Sequence, residues 1–382
     1  MRGSKPTGIR TAFAEGWTSM LRLRENDFLL GLFGPNCSSG VAVTKIPERW
    51  SGSWEDNLAL ARLADAVGID FVLPIARWMG FGGDTNFQES VLDPTVYATA
   101  MAANSRRLTA VTTIHTAFTH PIVAAKQLAT ADRVSGGRVA LNIVAGWNKP
   151  EFDAFGVDLP TAHDDRYALA QEWYDIVERI WASDGPVRCE GRFFQVNYPG
   201  GAPKPTGRIT VLNAGSSRQG RDFAARNADF IFTIVGGPEA GKDVVPEITG
   251  AAKERFGRSA GVLTNGHVVC RPTRQEALDY LHYYADENAD WPAVDKLMAE
   301  LGLHAQSYKQ ELLQAFRSRF AAGHGSCPLI GTPDEVAAEI AKFSAAGFSG
   351  MTLSFVDYVG ELEYFAQEVL PRLERMGVRK PR

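Results

Sequence analysis

Residues 121–147 read PIVAAKQLATADRVSGGRVALNIVAGW. This stretch decides the fold. Pro121 suits a first helical turn, where its missing N–H has no partner to lose, and Gly136 suits a helix end. The pattern between them predicts a helix over 121–134. Val139 to Val144 then form an apolar run, interrupted only by Asn142. A strand this continuously apolar is buried on both faces, so it belongs to a parallel sheet covered by helices.

The same rhythm extends in both directions. Phe28–Phe33 reads as a buried strand, and Trp54–Val67 as a helix with Ser53 as N-cap and Gly68 as C-cap. Asp70–Ile75 and Leu108–Ile114 are further strands. Asp165–Trp181 is amphipathic, with Leu169, Trp173, Ile176, Val177 and Ile180 on one face. Ile209–Asn213, Asp229–Val235, Val262–Cys270 and Met351–Phe355 complete a set of about eight strand–helix units, the number a closed barrel requires. A (β/α)8 TIM barrel over 28–382 is the expectation. An open doubly wound sheet is the alternative, weakened because no GxGxxG follows the first strand.

Two segments stand outside this rhythm. Residues 1–27 form a mixed, polar N-terminal arm without the apolar core of a signal peptide. Residues 274–327 are long, polar and mostly helical. They are expected as an insertion between the seventh and eighth strands, either a lid over the catalytic end or an oligomer contact.

Of the 382 residues, 45% are hydrophobic and 22% charged, and the net charge is -4. That balance offers no nucleic-acid groove or membrane surface as partner. The four cysteines, Cys37, Cys189, Cys270 and Cys327, are widely spaced. They suggest neither disulfides nor a zinc site, and fit a reducing cytoplasm. The seven histidines include no HExxH pair, and there is no GxSxG elbow, so metal and serine hydrolases are set aside.

A barrel carries its chemistry at the C-terminal ends of its strands. After the second strand come Ala76, Arg77 and Trp78, then a glycine-rich turn, suited to close approach by a planar ligand. The third strand ends Thr112-Thr113-Ile114-His115. Alternation points either Thr112 and Ile114, or Thr113 and His115, into the barrel. Asn142 is unusual in a strand. It can serve a ring nitrogen or carbonyl, or simply bridge neighbouring strands. After the fifth strand, Ala214-Gly215-Ser216-Ser217-Arg218 opens a helix. Small residues, hydroxyls and an arginine at a helix N-terminus make a phosphate cradle.

At these positions the chain resembles the bacterial luciferase-like flavin monooxygenases, above all the pyrimidine oxygenase and dimethyl sulfone monooxygenase group. The carrying stretches are Pro121–Thr130, Ser135–Arg138, Asn142–Trp147, Glu151, Asp165-Arg166-Tyr167, Ala214–Ser217 and Gly331-Thr332-Pro333. The resemblance runs from about Phe28 to the C-terminus. It implies reduced FMN at the strand ends, supplied by a separate NAD(P)H:flavin reductase, with dioxygen and a small organic compound as co-substrates. Ala76, Arg77, Asn142, Glu151, Arg166, Tyr167 and Ser217 match flavin contacts, with Arg218 beside the phosphate. Thr112 and Asn142 match the pair that positions dioxygen in the pyrimidine oxygenases. That implies a flavin N5-peroxide route, with the C4a-peroxide route open.

The resemblance has departures. The working histidine of the luciferases is replaced by Arg77-Trp78, and the cysteine of the alkanesulfonate enzymes is missing there. Sulfones, sulfonates and nitrogen heterocycles all remain open as substrates, and a homodimer or homotetramer is implied. A deazaflavin (F420)-dependent hydride-transfer enzyme of the same fold and a non-catalytic flavin binder are the alternatives.

Overall fold

A computed structural model describes residues 26–158, 163–302 and 310–381. The N-terminal arm therefore lies outside the described residues, except for its last two positions.

The strands are β1 (Leu29–Phe33), β2 (Phe71–Leu73), β3 (Thr109–His115), β4 (Val139–Val144), β5 (Val187–Glu190), β6 (Gln195–Tyr198), β7 (Thr210–Asn213), β8 (Phe230–Phe232), β9 (Gly261–Cys270), β10 (Cys327–Gly331) and β11 (Gly350–Ser354). The helices are α1 (Trp54–Val67), α2 (Pro94–Ala103), α3 (Pro121–Ser135), α4 (Lys149–Ala154), α5 (His163–Ala182), α6 (Arg218–Asn227), α7 (Gly241–Phe256), α8 (Arg274–His282), α9 (Trp291–Glu300), α10 (Gln310–Gly323), α11 (Pro333–Ala345), α12 (Tyr358–Glu368) and α13 (Leu370–Arg375).

Eight parallel strands close a barrel in the order β1, β2, β3, β4, β7, β8, β9, β11, with β11 returning to β1. The predicted (β/α)8 barrel is the fold observed. Two features were not foreseen. β5 and β6 form an antiparallel hairpin outside the barrel. β10 pairs with the far end of the long strand β9, from Gly266 to Cys270.

The predicted caps form. Ser53 accepts from the Asp56 amide at the start of α1, and Gly68 ends that helix at φ 94°. Such a left-handed end is where glycine avoids the Cβ penalty. β2 is short because Pro74 follows it and cannot donate to a ladder. At the closed end of the barrel Asp70 accepts from the Leu30 amide and from Arg379, which anchors the C-terminal segment there.

The lumen is layered. Its lower half holds Leu29, Phe71, Leu73, Val111, Ala140, Leu212, Phe230 and Leu263. Each large apolar side chain buried there contributes about 1.5–3 kcal/mol. Side chains alternate along a strand, so Thr113 and His115 follow Val111 into the lumen, Asn142 follows Ala140, and Asn265 and His267 follow Leu263. The upper half is therefore polar. A barrel with an apolar base and a polar mouth has its site at the mouth.

Helices α8, α9 and α10 lie between the seventh and eighth barrel strands. They share a core with the β1–α1 loop (Ala42, Val43, Ile46) and the β2–α2 loop (Phe81, Phe87). They therefore roof the catalytic end. Asp290, fully buried, fixes this roof by accepting from the Asp84 amide at 3.1 Å, the Thr85 amide at 2.8 Å and the Thr85 hydroxyl at 2.7 Å.

Candidate active site

The β2 and β4 ends are joined by one carboxylate. α4 carries Glu151 inward to 1% exposure. The Trp78 amide donates to its Oε1 at 2.8 Å, and Arg77 Nη1 lies 3.9 Å from the same oxygen. Burial raises the Glu151 carboxyl, while the Trp78 amide and the Arg77 charge pull it back down. The Arg77 guanidinium packs against two rings, 4.5 Å from the Phe81 centroid and 5.2 Å from that of Trp147. Burial works against its charge and Glu151 supports it.

The structure corrects the expected pairing of Thr112 with Asn142. Thr112 turns away from the lumen and shares a hydrogen bond of 2.8 Å with Thr95 on α2. Asn142 is in register with Thr113, and its Nδ2 donates to Thr113 Oγ1 at 3.3 Å. The physical reason is the phase of β3: Val111 belongs to the lumen core, so Thr113 and His115 are its inward companions. Thr113 Oγ1 donates to Pro74 O at 2.7 Å. With its one proton committed, the hydroxyl can only accept from Asn142. That fixes the amide orientation and leaves the Asn142 carbonyl for the mouth.

The β7 end leads into the small-residue helix start at which a phosphate cradle was expected. Asn213 donates to Ile143 O at 2.8 Å and accepts from the Gly215 amide at 2.9 Å, which fixes the turn. Ser217 caps α6, accepting from the Gly220 amide at 3.1 Å. The amides before Gly220 in that first turn have no intrahelical partner. The Tyr167 hydroxyl pairs with Ser217, while burial raises its pKa. A Cβ on Gly220 would stand 2.6 Å from Tyr167 Oη and 2.7 Å from Gly215 Cα, so only glycine fits. Arg166 Nη1 donates to Gly146 O at 3.3 Å, linking the β4 and β7 sides. Arg218 is exposed at the rim.

The mouth concentrates unsatisfied polar atoms. Arg77 Nε, His115 Nδ1, Asn148 Oδ1, Arg166 Nε, Asn265 Oδ1 and His324 Nε2 are buried without a hydrogen-bond partner. Leaving such a group unpaired costs about 1–3 kcal/mol. They come from residues at or beside the strand C-terminal ends and from the segment that follows α10. Both histidines are held neutral, His115 pushed down to about 4 and His324 to about 3, by burial first and by the Arg77 charge second. No group of three or more metal-ligating side chains occurs among the described residues.

Thus the structure brings Ala76, Arg77, Asn142, Glu151, Arg166, Tyr167, Ser217 and Arg218 to the strand C-terminal end and leaves Thr112 outside the lumen. Sequence reading missed Asn265, His267 and His324. The alternation Leu263-Asn265-His267 in a strand was a usable signal for the first two; nothing in the sequence around His324 was.

A closed parallel barrel with a polar mouth defines a class of barrel proteins that carry their sites at the strand C-terminal ends. Within that class the chain belongs to the luciferase-like monooxygenase family, whose profile matches residues 30–350. It is 33% identical over 355 residues to the FMNH(2)-dependent dimethylsulfone monooxygenase of Pseudomonas fluorescens (strain Pf0-1), covering 90% of this chain and 93% of that protein. It is 27% identical over 351 residues to the pyrimidine monooxygenase RutA of Agrobacterium fabrum, covering 90% and 96%. The crystal structure of DmoA from Hyphomicrobium sulfonivorans superposes with a TM-score of 0.83 at 20% identity, over 92% of this chain and 89% of that one, which shows the shared fold. No helix among the described residues is long and apolar enough to cross a membrane.

Proposed function

We propose that this chain is an FMN-dependent monooxygenase that uses reduced FMN and dioxygen to oxygenate a small organic compound. The observation that carries this reading is the pairing of a glycine-walled phosphate cradle at Ser217 with a polar, roofed lumen at Asn142. Bound reduced FMN supplies the electrons that activate dioxygen.

The chain's own residues do the rest. Ser217, Tyr167 and the free amides of the α6 first turn hold the phosphate, with Arg218 and Arg166 supplying positive charge. Asn142, its amide oriented by Thr113, would present its carbonyl to the flavin and take the dioxygen-positioning role, with Thr113 as its positioning residue. Ala76, Arg77 and Glu151 would contribute to holding the flavin from the β2 and β4 ends. Trp147 and the α8–α10 roof keep water out, which protects a reactive oxygen species from being wasted. A separate NAD(P)H-dependent reductase delivers the reduced flavin, and the working form is a cytoplasmic homo-oligomer.

The test is anaerobic mixing of the protein with photoreduced FMN, followed by labelled dioxygen and a panel of dimethyl sulfone, methanesulfonate and uracil. The reading predicts one labelled oxygen atom in the product. Oxygen-independent turnover with reduced F420 would replace it by hydride transfer. FMN binding without oxygen uptake would leave a passive binder.

A further inference from the structure

We propose that Asn265 on β9 is a ligand-recognition residue, whose carboxamide pairs edge to edge with a group that carries an acceptor and a donor side by side, as an amide or imide does. This deepens the flavin monooxygenase reading and rests on it.

The phase of β9 places Asn265 in the lumen. Leu263 belongs to the lumen core, while Val262 and Val268 pack in the core between strands and helices. Gly266 faces that outer side too: a Cβ there would stand 2.8 Å from Leu329 Cδ1 and 3.0 Å from Met351 Cε. Side chains alternate along a strand, so Asn265 points inward, one layer above Leu263. Phe232 of β8 is in register with Leu263, and its ring stacks on that of Phe33 at 6.2 Å with planes 30° apart. The carboxamide therefore stands above an apolar, aromatic layer, at 3% exposure.

No protein group satisfies that carboxamide. Asn265 Oδ1 is buried without a partner. Nδ2 likewise makes no hydrogen bond among the described residues. Exchanging the two ends of the amide therefore mends nothing. The nearest hydroxyl is turned elsewhere: Thr352, directly across the β9–β11 register, donates to Thr264 O at 3.5 Å. Buried asparagines of the framework differ. Asn36 donates to Ile75 O and accepts from Ile75 N, and Asn213 donates to Ile143 O and accepts from Gly215 N. A buried side chain left with both a free acceptor and free donors calls for a ligand that answers both. A sulfonate or an ammonium matches one end and strands the other. An amide or imide edge, with N–H beside C=O, matches both at once, as asparagine matches the donor–acceptor edge of adenine. Two molecules of the proposed reaction can carry that edge: the flavin, through N3–H and a neighbouring carbonyl, and an amide-bearing co-substrate.

The test compares two pairs of probes on the native chain. Fluorescence titration sets FMN against N3-methyl-FMN. Calorimetry sets succinimide against N-methylsuccinimide, with and without bound FMN. Each methyl group removes the N–H and leaves the carbonyls. A preference of about 10-fold for the unmethylated member of at least one pair is expected, the worth of one hydrogen bond. Preference in the flavin pair assigns the edge to the cofactor; preference in the imide pair assigns it to the co-substrate. Asn265→Leu, close in size and without polar atoms, should reduce that preference to less than about twofold. Asn265→Ala takes its place if the leucine variant fails to fold. Equal affinity for the two flavins together with no preference for succinimide would overturn the assignment, because the carboxamide would then meet only water. A preference undiminished in the variant would overturn it too. Failure of FMN itself to bind would instead overturn the flavin reading, and the imide pair on flavin-free protein would still test Asn265.

Discussion

Acidification from pH 8 to pH 5 should destabilise this barrel through the buried histidines of its polar half. His115 and His267 are 8% and 4% exposed, and burial pushes both down to about 4 from an ordinary value of 6.5. Arg77 and Arg319 add to the shift. The sign follows from proton counting. A histidine with a depressed folded pKa binds its proton more readily when unfolded, so stability falls as pH drops from above 6.5 toward 4. At pH 5 the unfolded ring is almost fully protonated and the folded ring almost fully neutral. Each ring then costs about 2 kcal/mol relative to pH 8, so the pair costs about 4 kcal/mol. That is a large share of a typical stability of about 5–15 kcal/mol. His324, pushed down to about 3, acts in the same direction. Glu151 and Glu361, both raised by burial, act oppositely, which is why a ring must be isolated by substitution. Urea unfolding at pH 8 and pH 5, for the native chain and for His267→Gln, isolates it. The variant should lose about 2 kcal/mol less than the native chain over that interval. An identical loss in both proteins would refute the assignment of a buried neutral imidazole at 267.

Three further outcomes follow from the geometry. Gly220→Ala should weaken FMN about 10- to 100-fold, because overpacking by one methyl costs roughly 1–3 kcal/mol; fluorescence titration of FMN measures it, and unchanged affinity would remove the cradle from α6. Thr113→Val should cut labelled product by about 100-fold through the loss of an oriented Asn142 amide, whereas Thr112→Val should leave product yield near native; the reverse ranking would restore Thr112 to the site. Asp290→Ala should destabilise the roof by about 3 kcal/mol and speed amide exchange across Trp291–Glu300; exchange unaltered there would show that the roof is held by its apolar core alone.

Much of the barrel was legible because its strands are apolar on both faces. Val139–Val144 lies inside a helical jacket, and that burial shows directly as an apolar run broken only by Asn142, while Gly261–Cys270 keeps apolar ends around its polar middle. Helix ends at Ser53, Gly68 and Gly136 were legible because capping chemistry is local. The β5–β6 hairpin was not, since its residues are largely polar and solvent-facing. Thr112 was misassigned for a precise physical reason. Two adjacent threonines give no phase, and only the packing of Val111 into the lumen sets which one faces inward. The helix start at Ser217 was legible because a small-residue cap is a local signal. His324 was invisible because the roof delivers it: α10 is part of a polar segment that carries no barrel rhythm, and tertiary packing alone seats its C-terminal end on β9.

One measurement tests the account most directly: a crystal structure of the protein soaked with FMN. The phosphate should lie within hydrogen-bonding reach of Ser217 Oγ, with the flavin ring against Asn142 beneath the α8–α10 roof. Electron density for the phosphate anywhere away from the α6 N-terminus, or for the ring outside the polar half of the lumen, would contradict it.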